Sequence, residues 1–131
     1  MAKSREHALA LLQKARDDAY VLSRLAADPA APAWTVGFHA QQAVEKAMKA
    51  VLTDRGVEYP YTHNLPALAK LLQEAGAPVP HDGTWLARLT PYGAPLRYEP
   101  DPEAEDDVPL DRSGAQAIVE QTIAWAESLL G

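Results

Sequence analysis

The 131-residue sequence predicts an all-α protein, an antiparallel bundle of four to five helices. Three observations lead there. Hydrophobic residues make up 47% of the chain and are mostly Ala and Leu, with a single Phe and few β-branched residues, a balance that favours helix over sheet. Apolar residues recur at steps of three and four in three long segments, and strand-like alternation stands out nowhere. The connections are short, so sequential helices pack as antiparallel neighbours. With no internal repeat and no long linker, residues 1–131 read as one domain, large enough to bury about two thirds of the surface exposed by its unfolded chain.

The first helix is expected from about residue 4 to residue 27, with one face built from Ala8, Leu12, Ala15, Ala19, Leu22 and Ala26 and widened by Leu9, Leu11 and Tyr20. Asp28, Pro29 and Pro32 end it, because proline cannot continue a helix and restricts the residue before it. A second helix follows from about residue 33 to residue 55, and Gly56 stands where a left-handed C-cap belongs. The loop VEYPYTHN leads to a short third helix over about 65–75. Asn64 is its N-cap, Pro66 lies harmlessly in its first turn, and Gly76 closes it. Asp82 or Thr84 can cap a fourth helix at 85–89, which Pro91, Gly93 and Pro95 break or kink. Ser113 can cap the last helix, whose apolar face collects Ala115, Ile118, Val119, Thr122, Trp125, Ala126 and Leu129.

The second helix carries more than one apolar stripe when its residues are placed at 100° per step. Val36, Ala40, Ala43, Val44, Ala47, Ala50 and Val51 form a broad face of small residues that admits a close neighbour. Phe38, Gln41, Glu45, Met48 and Leu52 form a second stripe, facing either another helix or another subunit. The wet side left over is narrow and holds Thr35, His39, Gln42, Lys46, Lys49 and Thr53. Glu45 can then be placed in two ways. Flanked by Phe38, Met48 and Leu52 it is partly desolvated and needs a partner; exposed, it makes an ordinary i, i+4 ion pair with Lys49, worth about 0.3–0.5 kcal/mol.

Several functional classes are disfavoured. The chain has no Cys, hence no disulfide, thiolate metal site or cysteine nucleophile, which suits a reducing compartment. The four histidines, His7, His39, His63 and His81, sit on different segments without metal-ligand spacing, so neither a metal nor another cofactor is expected. No glycine-rich phosphate loop and no G-x-S-x-G serine occur. No apolar run approaches a signal peptide or a membrane span, and a cytoplasmic location is expected. The net charge of −6 is uneven: an acidic loop at about 99–111 holds seven acidic residues and no Lys or Arg. Without that loop, 11 acidic residues face 12 basic ones, so no broad basic face for nucleic acid is evident.

Two constellations remain. Tyr59, Tyr61, Thr62, His63 and Asn64 bring aromatic rings and polar tips to a helix N-terminus, a place suited to an anion or a base. The plainer account of them is loop packing with capping. Tyr92, Arg97 and Tyr98 form the second; Arg97 can hold a phosphate, pair with Glu45, or lie with its stem over the core.

FHAQQAVEKAMKAVL, the following RGVEYPYTHNL and the later LRYEP resemble the HEPN domain family, over most of the chain. The resemblance implies a helical bundle, usually a homodimer, that acts as a toxin in a toxin–antitoxin pair, as the partner of a minimal nucleotidyltransferase, or as a nucleotide-binding accessory. Nuclease members carry an Arg followed, after four to six residues, by a His. This sequence has no such pair: Arg55 and His63 come nearest, with seven residues between them. The expectation is therefore a non-catalytic partner protein whose nucleotide or RNA contacts come from Lys46, Lys49, Tyr61, His63, Arg97 and Tyr98. Phe38, Gln41, Glu45, Met48 and Leu52 are its structural or interface residues. A ribonuclease with a displaced set and a purely structural helical module are the alternatives.

Overall fold

The computed structural model describes residues 2–81, 83–93 and 110–131. Arg97, Tyr98, Pro95, the Asp82 cap and nearly all of the acidic loop lie outside the described residues. Within them the chain is all helical: α1 (Ala2–Ala26), α2 (Ala33–Asp54), α3 (Leu65–Glu74), α4 (Gly83–Leu89), a 3-10 turn (Thr90–Gly93) and α5 (Arg112–Leu130). None of these helices is long and apolar enough to cross a membrane.

Helix α2 is the axis of the fold, touching every other element named above. Its small-residue face explains this: Ala40, Ala43, Val44, Ala47 and Ala50 are fully buried, and short side chains let α1 and α5 approach closely. The second stripe is covered from within the chain. Tyr92 lays its ring on Gly37, Gly93 sits on the Gln41 amide, and Met48 and Leu52 are fully buried. Phe38 is the half-buried end of that stripe and stacks on Trp34, with ring centroids 5.4 Å apart.

Direction along the bundle follows from long-range contacts. Arg5 near the start of α1 bonds the Leu130 carbonyl at the end of α5 and lies 3.6 Å from Asp54 at the end of α2. Arg112, opening α5, donates to the Asp28 and Ala31 carbonyls at 3.1 and 2.6 Å, beside the start of α2. The expected antiparallel pairing thus holds for α1 with α2 and for α1 with α5. Helices α2 and α5 run the same way, because the chain between them returns to the end where α2 begins.

The helix stops obey simple backbone chemistry. Gly56 (φ +70°) and Gly76 (φ +77°) take the left-handed conformation that a side chain disfavours. Each allows the two reverse bonds that satisfy the last carbonyls: Val57 N to Leu52 O at 2.9 Å and Gly56 N to Thr53 O at 3.1 Å in the first case.

Several expectations need correction. Leu9 and Tyr20 do not widen the core face of α1 but stand 43% and 62% exposed. Thr84 lies inside the first turn of α4, since that helix begins one residue earlier. The N-cap of α5 is Asp111, not Ser113: its Oδ1 accepts from Gly114 N at 2.9 Å. The side chain of Asn64 accepts from Ala67 N at 3.1 Å, as an N-cap does. After Leu89 the chain tightens into the 3-10 turn at Pro91. There the Thr90 hydroxyl donates to Leu86 O at 2.7 Å and accepts from Leu65 N at 3.2 Å, tying α4 to the start of α3.

Candidate functional site

The residues with the most chemistry meet where loop 57–64 folds back along α2, around the carboxylate of Glu45. Gln41 Nε2 donates to Glu45 Oε1 at 2.9 Å and to the His63 carbonyl at 3.2 Å, while Gln41 Oε1 accepts from Gln42 Nε2 at 2.7 Å. His63 Nδ1 lies 2.7 Å from the same Glu45 Oε1, and Lys49 Nζ lies 3.1 Å from Oε2. Helical spacing produces half of this: residues 41, 45 and 49 are successive i, i+4 neighbours along α2. The loop supplies the rest, bringing His63 to a carboxylate 18 positions earlier.

Burial makes the node expensive to disturb. Gln41 is fully buried, Glu45 is 4% exposed and Lys49 is 8% exposed. Such groups persist in the interior only when their hydrogen-bonding capacity is met, and here each of Gln41, Glu45 and Lys49 has partners. The two placements of Glu45 left open by the sequence are thereby merged: the ion pair with Lys49 exists, but it lies inside. Lys49 is correspondingly not on the open edge of α2. Its ammonium sits 5.6 Å from the Tyr59 ring centroid and 5.7 Å from that of Tyr61, a position in which aromatic faces stabilise a cation.

The loop is built to hold this geometry. Tyr59 OH is 3.2 Å from Thr53 Oγ1, and Thr62 Oγ1 accepts from Asn64 N at 3.1 Å just before Asn64 caps α3. Tyr61 meets the His63 ring edge-on at 5.7 Å and is otherwise 92% exposed. His63 is partly exposed, and its Nε2 makes no hydrogen bond among the described residues.

A second node lies on the α1 side of the same open strip. Asp18 bonds His39 Nδ1 at 3.0 Å through one oxygen and Lys46 Nζ at 2.6 Å through the other. The sequence reading missed Asp18. Its signal was its place three residues after Ala15 and four before Leu22, which puts a carboxylate at the margin of the buried face of α1. Among the described residues, no group of three or more His, Asp or Glu converges as a metal site would require. A third histidine, His81, belongs to neither node and places Nε2 2.6 Å from Thr122 Oγ1 on α5.

The candidates therefore divide. Gln41, Glu45, Lys49 and His63 meet directly, with Tyr61 above them. Lys46 belongs to the Asp18 node, Met48 and Leu52 to the core, and Phe38 to the half-buried Trp34 stack. A family model described as "HEPN domain" matches residues 8–130.

The chain belongs to the HEPN family. The matched span takes in α2, α3, α4 and α5 entirely and most of α1. No curated protein and no solved structure matches the chain, so the family model carries the assignment alone. In this HEPN domain the two most specific stretches of the resemblance are the two that meet in space. FHAQQAVEKAMKAVL supplies Gln41, Glu45 and Lys49, and T-H-x-L supplies the His63 that they hold.

Proposed function

We propose that this HEPN protein is a non-catalytic partner protein, which pairs with a second copy of itself and with a nucleotidyltransferase and offers a nucleotide or an RNA strand a landing place on loop 57–64. The observation that carries the reading is the exposed Tyr61 ring beside a fixed imidazole. A stacking surface next to an oriented polar group is how proteins hold unpaired bases. Tyr61 and His63 are the contacts proposed from the described residues, with Arg97 and Tyr98 added from outside them, while Lys46 and Lys49 are engaged by Asp18 and Glu45. Only the resemblance to the family supports the pairing with a nucleotidyltransferase.

The test is a light-scattering measurement of mass, a copurification with a co-expressed minimal nucleotidyltransferase, and a nucleotide titration with and without that partner. A dimer that retains the partner and binds nucleotide more tightly in the complex is the expected outcome. A monomer that binds neither overturns the reading.

A second reading has its own support in the Glu45–His63 contact of 2.7 Å. A carboxylate on Nδ1 fixes the imidazole with Nε2 outward, the arrangement of a general base. A ribonuclease built this way moves the proton of a ribose 2′-hydroxyl to His63 Nε2 as the 2′-oxygen bonds to phosphorus and the 5′-oxygen leaves, taking a proton from water. Expression of the protein alone, with growth and transfer-RNA integrity followed, separates the two. Loss of RNA cleavage in a folded Arg97→Ala variant replaces the partner reading with this one.

A further inference from the structure

Among the described residues, the lysines beside the landing place are already matched. Lys49 is paired with Glu45 at 3.1 Å and Lys46 with Asp18 at 2.6 Å. Counting His39 and His63 as neutral, each node sums to zero: one carboxylate and one ammonium. Lys49 is further removed from a ligand by burial and by the Tyr59 and Tyr61 rings at 5.6 and 5.7 Å. Neither node described here presents the surplus of donors and positive charge by which proteins hold phosphate.

What the site does present is a ring. Tyr61 is 92% exposed, with the Lys49 ammonium on one face and the His63 edge beside it at an interplanar angle of 70°. A cation under one face draws π density toward itself, so the opposite face favours an electron-rich, extended partner such as a purine. Beside that ring, His63 adds directionality. An ionised Glu45 only accepts, so Nδ1 carries the hydrogen that faces it. In the neutral ring Nε2 is then an acceptor, matched to an exocyclic amine on a base edge.

We infer that the Tyr61–His63 platform recognises a purine base and not a phosphate, so that its ligand is a nucleoside or an unpaired purine of an RNA strand. This rests on the nucleotide-binding reading above and narrows it. The Glu45–Lys49 pair serves here as the support of the platform, holding His63 at its ring nitrogen and a cation beneath Tyr61.

The experiment is a calorimetric titration of the full chain with adenosine, adenosine monophosphate and ribose 5-phosphate, at low salt and at tenfold higher salt. Adenosine and its monophosphate bind alike, and ribose 5-phosphate does not bind. One phosphate contact on a single strand costs about fivefold in affinity over a tenfold rise in salt, and here the loss stays below about twofold. Tyr61→Ala weakens adenosine by roughly tenfold or more, the scale of one base–aromatic stack, whereas Tyr61→Phe retains it. Circular dichroism confirms that both variants fold. Binding of ribose 5-phosphate as tight as that of the monophosphate, or a steep salt dependence, overturns the inference and leaves nucleotide binding standing. Silence with all three ligands, both for the chain alone and with the nucleotidyltransferase added, overturns both.

Discussion

The two flanks of the open strip on α2 carry the same chemistry in different settings. Each has one carboxylate that bonds a histidine at Nδ1 and a lysine at Nζ: Asp18 with His39 and Lys46, Glu45 with His63 and Lys49. The Asp18 node joins two helices and stays partly wet, with His39 and Lys46 side chains 24% and 26% exposed. The Glu45 node joins a helix to a loop and is dry at its centre, where Gln41 gives the carboxylate a third donor. A wet node can exchange a lost partner for water, and a dry one cannot. The first therefore works as a clamp between α1 and α2, while the second fixes the position of a loop histidine and the exposed ring next to it.

That contrast predicts unequal costs for equivalent deletions, with Glu45→Ala the largest. Removing the carboxylate leaves Lys49 buried without its ion pair, and the loss of one partner of a buried pair costs about 3–5 kcal/mol. Chemical denaturation reads this as a lower midpoint with an unchanged slope. Replacing both members, Glu45→Leu with Lys49→Met, removes the orphaned charge and recovers most of that loss. A Glu45→Ala variant as stable as the parent would show that Lys49 escapes to water and that the node is not dry.

Gly93→Ala comes next, and it strikes the same node from the outside. A Cβ at Gly93 stands 2.6 Å from both Cδ and Nε2 of Gln41, so either the 3-10 turn shifts or the amide leaves Glu45. Overpacking and a displaced buried amide together cost about 1–3 kcal/mol. A double-mutant cycle with Glu45→Gln should find the two effects coupled, since both act through the Gln41–Glu45 bond. The same cycle run with Asp18→Asn should find simple additivity.

The difference between the nodes also marks what the sequence can disclose. The helices were legible because their signals are local: apolar steps of three and four, prolines 29 and 32, and glycines at 56 and 76. The desolvation of Glu45 could be suspected from the same wheel, because Phe38, Met48 and Leu52 surround it on one helix. Its partner could not. His63 reaches Glu45 only because loop 57–64 folds back on α2, and nothing in the periodicity of either segment encodes that reversal. Lys49 was misplaced for a related reason: the wheel puts it on the wet side, and the loop aromatics Tyr59 and Tyr61 then cover it. Asp18 went unnoticed because its partners lie 21 and 28 residues away on another helix.

On the wetter flank, Asp18→Ala costs about 1 kcal/mol, because His39 and Lys46 can each return to solvent and partly exposed ion pairs contribute little. Added salt should narrow the gap between this variant and the parent, since screening weakens the same contacts in the parent. Salt should leave the Glu45→Ala deficit largely unchanged. Equal salt sensitivity in the two variants would erase the distinction between a wet clamp and a dry node.

The smallest structural effect belongs to Tyr61→Ala, and its smallness is the point. A ring that is 92% exposed contributes little burial, and substitutions at such places usually stay within about 0.5 kcal/mol. Its contact with Lys49 adds only a cation–π interaction shared with Tyr59, so the node keeps one aromatic face when Tyr61 is gone. Stability and ligand binding should therefore separate at this residue and nowhere else around Glu45, where any change strikes both. A denaturation midpoint for Tyr61→Ala that falls as far as that of Gly93→Ala would mean the ring is part of the lock that holds the loop, and the division between a buried support and an exposed reading surface would be lost.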